Sequence, residues 1–214
     1  MLFVPPPFIL AGAAAVTELT FIASATSDDS ATVTVPASAA VGDLAVLFDY
    51  GTETPLPTKV VPAGYTEATD VTGVQTRLTV SYKVLESGDP GNDITGMDTF
   101  PNNKAIVVVR RASGISTITP STWNGEIANG DPALQTVSAS GGTAPLVVFG
   151  CDVAGGGTVS FSTASPAFDD EILNPGDDII VGYKLYDSSP ADHDIDADDN
   201  GNRNALVSGW LEVA

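Results

Sequence analysis

Leu78-Thr79-Val80-Ser81-Tyr82-Lys83-Val84 alternates apolar and polar side chains with a period of two. Successive side chains of an extended chain point to opposite faces, so Leu78, Val80, Tyr82 and Val84 would share one face, with Thr79, Ser81 and Lys83 on the other. That is a half-buried strand. Twenty residues on, Ala105-Ile106-Val107-Val108-Val109 has no polar interruption until Arg110 and Arg111. A continuous β-branched run of this length predicts a central strand covered on both faces. Ala31-Thr32-Val33-Thr34-Val35 repeats the alternation on a small scale, and Pro36 ends it.

The composition generalises these windows. Of 214 residues, 23 are Val, 22 Thr and 11 Ile, with 21 Gly and 15 Pro to punctuate them. Stiff β-branched residues broken at short intervals by turn formers predict an all-β protein. The expected architecture is an antiparallel, jelly-roll-like β-sandwich.

Laying the second half of the chain on the first gives four blocks in the same order, about 101 residues apart. Leu44–Asp49 aligns with Leu146–Cys151, and Pro62-Ala63-Gly64-Tyr65 with Pro166-Ala167-Phe168. Tyr82-Lys83-Val84 then aligns with Tyr183-Lys184-Leu185, and Asn103–Val109 with Arg203–Gly209. Each half carries too few strands to close a sandwich comfortably alone. The preferred division is therefore an apolar arm over 1–16 and one sandwich over 17–214. Its halves lie at about 17–112 and 133–214, with a crossover at 113–132; two small β domains are the alternative.

Residues 1–16, MLFVPPPFILAGAAAV, lack the basic start of a secretory signal and are broken by three prolines. Leu2, Phe3, Val4, Pro5, Pro6, Pro7, Phe8 and Ile9 are expected to form an extended arm that docks on another subunit, because apolar chain left in water invites aggregation; a flexible tail or a leading strand of the domain is the alternative.

Eight Lys+Arg against 27 Asp+Glu give a formal net charge of -19. Phosphate backbones and anionic lipid surfaces would be repelled, so nucleic acid and membrane are poor partners. Twenty of the acids are aspartate, a turn residue more than a helix residue, which places the charge on connections. A lone cysteine, Cys151, excludes an intrachain disulfide framework, and a lone histidine, His193, removes most catalytic triads and zinc sites. No catalytic residue is assigned, and the protein is expected not to be an enzyme.

Two constellations remain as candidate sites. Asp192–Asn202 is dense in oxygen ligands, and from Asp196 it matches the opening of a calcium loop, D-x-D-x-N-G. Asp194, Asp196, Asp198 and Asn200 are the candidate Ca²⁺ ligands. Val207 stands where the closing glutamate belongs, so a solvated acidic hairpin, with His193 as a charge-balancing surface residue, competes with calcium, the only cofactor suggested. Tyr50, Trp123 and Tyr186, beside acidic loops, are possible glycan contacts; Trp123 equally suits a core plug.

The blocks Val41-Gly42-Asp43-Leu44-Ala45-Val46, Pro62–Thr66, Leu78–Val84 and Ala105–Arg111 give the chain a resemblance to a group of tailed-phage virion proteins. Those proteins carry a "GDLLV…PAGWT…YKV…RY" series of β blocks, often twice. Tyr65 stands where the series has Trp. The resemblance runs from about Ile22 to the C-terminus. It implies an accessory head or tail subunit, located in the virion and assembled in the host cytoplasm, whose partners are other virion proteins in many copies or a homo-oligomer. Recognition of a host surface glycan, with calcium assisting, is the alternative it leaves open.

Overall fold

In the computed structural model the described residues are 17–28, 30–52, 55–56, 58–97, 103–128, 132–155, 158–174, 176, 178–198 and 202–214. The proposed arm over 1–16 lies outside them, as does Asn200.

The run Ala105–Val109 has no exposed residue. It is the middle of β7 (Asn103–Arg111), which pairs antiparallel with β1 (Leu19–Ser27) on one side and β3 (Leu44–Thr52) on the other. Adding β5 (Thr76–Val84) and β4 (Thr66–Thr72) gives a five-stranded sheet of order β1-β7-β3-β5-β4. The second half builds another sheet from β11 (Leu146–Gly155), β13 (Asp170–Leu173), β14 (Ile179–Tyr186) and β16 (Asn202–Val213). Its order is β13-β14-β11-β16, with β8 (Ile118–Pro120) and β9 (Asn124–Ala128) both lying along β16.

The two sheets face each other across one core. Leu44, Val46, Phe48 and Val107 from the first meet Val147, Phe149, Cys151 and Val207 from the second, and all are fully buried. Phe48 and Phe149 touch edge to face, 5.6 Å between centroids.

The outer faces are covered too. Ala45, Leu47, Ile106 and Val108 back the first sheet and pack under the ribbon β2 (Val33–Thr34) and β6 (Asp93–Ile94). Leu146, Val148 and Leu206 back the second, under a three-stranded layer of order β10-β15-β12: Gln135–Val137, His193–Ala197 and Phe161–Ser165. These covers explain why both central strands carry apolar residues without alternation.

The expected all-β sandwich is therefore present, with differences in the detail. The first sheet comes from the first half alone, and the second from the second half together with β8 and β9, so the chain does not alternate between facing sheets as a jelly-roll path would. The expected crossover, 113–132, contains β8 and β9; Ile118 and Ile127 pack against the main core and their backbone lies along β16.

Leaving aside β8, an additional strand on the β16 edge, the sheets have the same order, β1-β7-β3-β5-β4 against β9-β16-β11-β14-β13, and β2-β6 is placed as β10-β15 is. The ladders shift the expected alignment. Leu44 lies between Val84 and Val109, and the residue so placed in the other sheet is Val147, between Leu185 and Leu211. Leu146, matched to Leu44 by letter, belongs to the outer cluster. A one-residue slip exchanges the two faces of a strand, and the burial of Leu44 and Val147 in the same core fixes the true register.

Close packing between layers depends on paired glycines. Gly150 and Gly182 stand directly opposite each other on β11 and β14, and Phe168 lies over them. A Cβ at Gly182 would sit 2.2 Å from the Phe168 ring. Gly182→Ala is expected to destabilise the fold by about 1–3 kcal/mol in denaturant unfolding, and Phe168→Leu in the same chain to recover part of that loss.

Candidate functional site

The motif residues of the first half form turn and clamp elements. Gly42 and Gly64 adopt positive φ (91° and 82°), which glycine takes without steric cost. Asp43 holds Arg110 through two contacts, with Arg110 Nε and Nη2 donating at 2.7 and 2.9 Å, and it also accepts from the Ala40 N–H. The carboxylate beside it raises the Arg110 pKa further.

The two Tyr-Lys pairs do equivalent work. Tyr82 and Tyr183 face the main core, and the following lysine emerges on the opposite face. Lys83 lies against Gly64 and donates to Asp89, with Glu86 3.3 Å away. These contacts raise the Lys83 pKa, while Asp89, held by Lys83 and by the Glu86 N–H, is lowered. In the second half Lys184 donates to Asp169, the neighbour of Phe168.

The acidic run is a strand where it is described. β15 spans His193–Ala197; His193, Ile195 and Ala197 point inward and are buried, while Asp194 and Asp196 alternate outward. Asp194 stands opposite Thr136 and Ser165, and accepts from the Thr136 hydroxyl at 2.6 Å; Asp196 stands opposite Thr163. Asp198 follows the strand, its N–H donating to the Ser160 carbonyl. A calcium loop wraps its ligands around one point, whereas an extended strand spreads alternate carboxylates along a line. Among the described residues, no group of three or more His, Cys, Asp or Glu is placed to hold a metal ion.

His193, expected at the surface, is fully buried. Strand parity fixes this: it is two residues from Ile195 and shares its face. Its ring stacks on Phe168 (5.4 Å, 24°) and meets the edge of Tyr186 (6.2 Å, 88°). Neither ring nitrogen has a hydrogen-bond partner. Burial, with the Lys184 charge adding to it, pushes the imidazole pKa down to about 4, against the weaker opposing pull of Asp169 and Asp194.

The proposed glycan contacts do not assemble. Tyr50 is buried, and its hydroxyl donates to the Arg203 carbonyl. Trp123 is 9% exposed and stacks on Phe149 at 6.5 Å, over Gly209, whose hypothetical Cβ would lie 2.3 Å from the indole. It is the core plug. Tyr186 lies apart from both, on the far side of the second sheet beside His193. Cys151 is buried in the main core, where burial and the neighbouring Asp152 keep its thiol pKa well above the ordinary value. A protonated thiol in an apolar core is a poor nucleophile.

Phe168, which stacks on His193, and Gly150 and Gly182, which leave room for its ring, were missed from sequence. Their signal was available: a glycine interrupts each of two otherwise apolar strands, Phe149-Gly150-Cys151 and Val181-Gly182-Tyr183, marking a close approach.

No family model, no curated protein and no solved structure matches this chain.

Proposed function

We propose that this chain is a non-catalytic structural protein of a phage virion, an accessory head or tail subunit that docks on other virion proteins through residues 1–16. The observation that carries the reading is the role of the motif residues. The GDL, PAGY and YKV blocks on which the resemblance rests are turn glycines, core tyrosines and lysine clamps, so what the chain shares with those proteins is scaffold. Seven of the eight cationic side chains are tied into ion pairs with carboxylates. Little positive charge is left to meet a phosphate backbone, in keeping with partners that are proteins.

The burial of Tyr50 and Trp123 weighs against the glycan alternative; of the calcium candidates, Asp194 and Asp196 lie on a strand, while Asn200 lies outside the described residues.

Deleting residues 1–15 is expected to leave far-UV circular dichroism and the melting temperature unchanged while removing the protein from purified particles. Undiminished copies per particle, counted by mass spectrometry, would overturn the docking arm. Absence of the intact chain from every particle fraction would overturn the virion assignment itself.

A further inference from the structure

One cation is left over from the ion pairs. Arg203 is the eighth of the eight Lys and Arg side chains; no ion pair joins it to a carboxylate of the described residues, and its side chain is exposed. Its backbone lies in the left-handed region (φ 69°), which glycine enters more easily than arginine. Two buried hydroxyls of the first sheet hold it there, Tyr50 Oη and Thr76 Oγ1, each donating to the Arg203 carbonyl at 3.3 Å. Arg203 lines a cavity of about 330 Å³ with Gly73, Val74, Gln75, Thr76 and Ile127. Its walls have little slack: the Gly73 N–H donates to the Thr76 carbonyl at 2.7 Å, closing the β4-β5 turn, and a Cβ at Gly73 would lie 2.8 Å from Ile127 on β9. In that turn Val74 is 89% exposed, more than any other large apolar side chain among the described residues. We infer that this cavity receives residues 2–9 of a second copy of the chain, which presupposes that residues 1–16 dock and gives the arm a destination.

Chain direction sets the geometry. β1 enters its sheet where Leu19 lies opposite Arg111, at the end that also holds Leu44 and Val84, and runs toward the end that holds Lys104, Thr52 and Thr76. The cavity is at this second end, since Arg203 is bonded to Thr76. The nine residues of β3 separate the two ends by roughly 27 Å. Residues before Thr17 therefore leave from the end opposite the cavity, and an extended chain would carry residues 2–9 roughly 25–45 Å beyond it. To reach its own cavity the arm would have to turn back along the whole sandwich and cross from the β1 edge to the β4 side. Copies stacked head to tail present each cavity to the arm of the next, a heterologous contact that repeats from copy to copy.

The chemistry of the two surfaces agrees. No charged side chain occurs before Glu18, so a chain of net charge -19 does not repel this segment as it would an acidic one. A polyproline run makes no internal hydrogen bonds, which leaves the carbonyls around Pro5, Pro6 and Pro7 free to accept from the guanidinium. The planar face of that group also stacks on aromatic rings such as those of Phe3 and Phe8. The aliphatic side chains of the arm cover Val74 and Ile127, which removes apolar surface from water on both copies.

Two variants divide the contact between them. Deletion of residues 1–15 removes the arm and keeps the cavity. Val74→Asp with Arg203→Asn keeps the arm and spoils the cavity; both side chains are exposed, and asparagine tolerates a positive φ. In sedimentation velocity over a dilution series, the intact chain is expected to form oligomers that grow with concentration, while each variant alone stays monomeric. An equimolar mixture of the two variants should stop at a one-to-one pair, the arm of one in the cavity of the other. Arg203→Asn alone should weaken that pairing at least about tenfold. A monomeric intact chain, a variant that associates as strongly as the parent, or a mixture without pairs would each sink the inference. None of these measurements needs a particle. An intact chain that is monomeric in solution yet docks on particles through its arm overturns the copy-to-copy contact alone; association as described by a chain absent from particles overturns only the virion assignment.

Discussion

Phe149→Ala is expected to lower the unfolding free energy by roughly 3–5 kcal/mol, a large part of the ~5–15 kcal/mol that holds a typical domain. Phe149 is the contact point of the two sheets. It is fully buried on β11, meets Phe48 of the facing sheet edge to face at 5.6 Å, and carries Trp123 stacked at 6.5 Å. Removing the ring leaves a cavity whose walls are the backbones of central strands, paired on both sides, and such walls cannot move in to fill it. Urea unfolding of Phe149→Ala, Phe48→Ala and the double variant measures the loss and its coupling. The double variant should be more stable than the sum of the singles implies, because each ring loses its partner only once. Val41→Ala, at a side chain 64% exposed, is the control and should fall within about 0.5 kcal/mol of the parent. A Phe149→Ala loss as small as the control's would mean that the sheets do not share the core described.

The features legible in the sequence were those decided by local periodicity. Ala105–Val109 reads as a strand covered on both faces, and it lies inside its sheet, paired on both sides, with no exposed residue. Leu78 and Val80 face the core as their alternation required, although Thr79 and Ser81 on the opposite face are also buried. The acidic run was harder because D-x-D-x-D satisfies two rules at once. Alternate aspartates suit a calcium loop and equally suit the outer face of a strand. The deciding residues are the ones between, His193, Ile195 and Ala197, whose common parity makes an inward face.

What could not be read locally was anything set by a distant glycine. Trp123 is a plug because Gly209 leaves room for it 86 positions away, and Phe168 covers His193 because Gly150 and Gly182 lie side by side in register. Sequence similarity between the halves had the same weakness. Identical letters at Leu44 and Leu146 suggested a match, yet the ladders place them on opposite faces. Alternation specifies which residues share a face; only pairing specifies which face it is.

Lys104 offers the second large effect, and here the two halves of one ion pair should respond unequally. Lys104, on β7, is fully buried although it is a lysine; its ammonium donates to the Ser30 carbonyl at 2.7 Å and lies 3.2 Å from Asp49, the residue directly opposite on β3. Asp49 keeps 12% of its side-chain exposure. Asp49→Ala therefore removes a carboxylate from a cation that water cannot reach, and is expected to cost roughly 3–5 kcal/mol. Lys104→Met keeps the volume of the long side chain and leaves behind the partner that retains some hydration, so its cost should be smaller, about 1–3 kcal/mol. The double variant Lys104→Met with Asp49→Leu replaces both charges with apolar side chains of similar size, and should recover to within about 1 kcal/mol of the parent. Equilibrium urea unfolding of the three variants tests the ordering. A Lys104→Met loss exceeding that of Asp49→Ala would reverse the argument, by placing the cost on the carboxylate instead of on the ammonium.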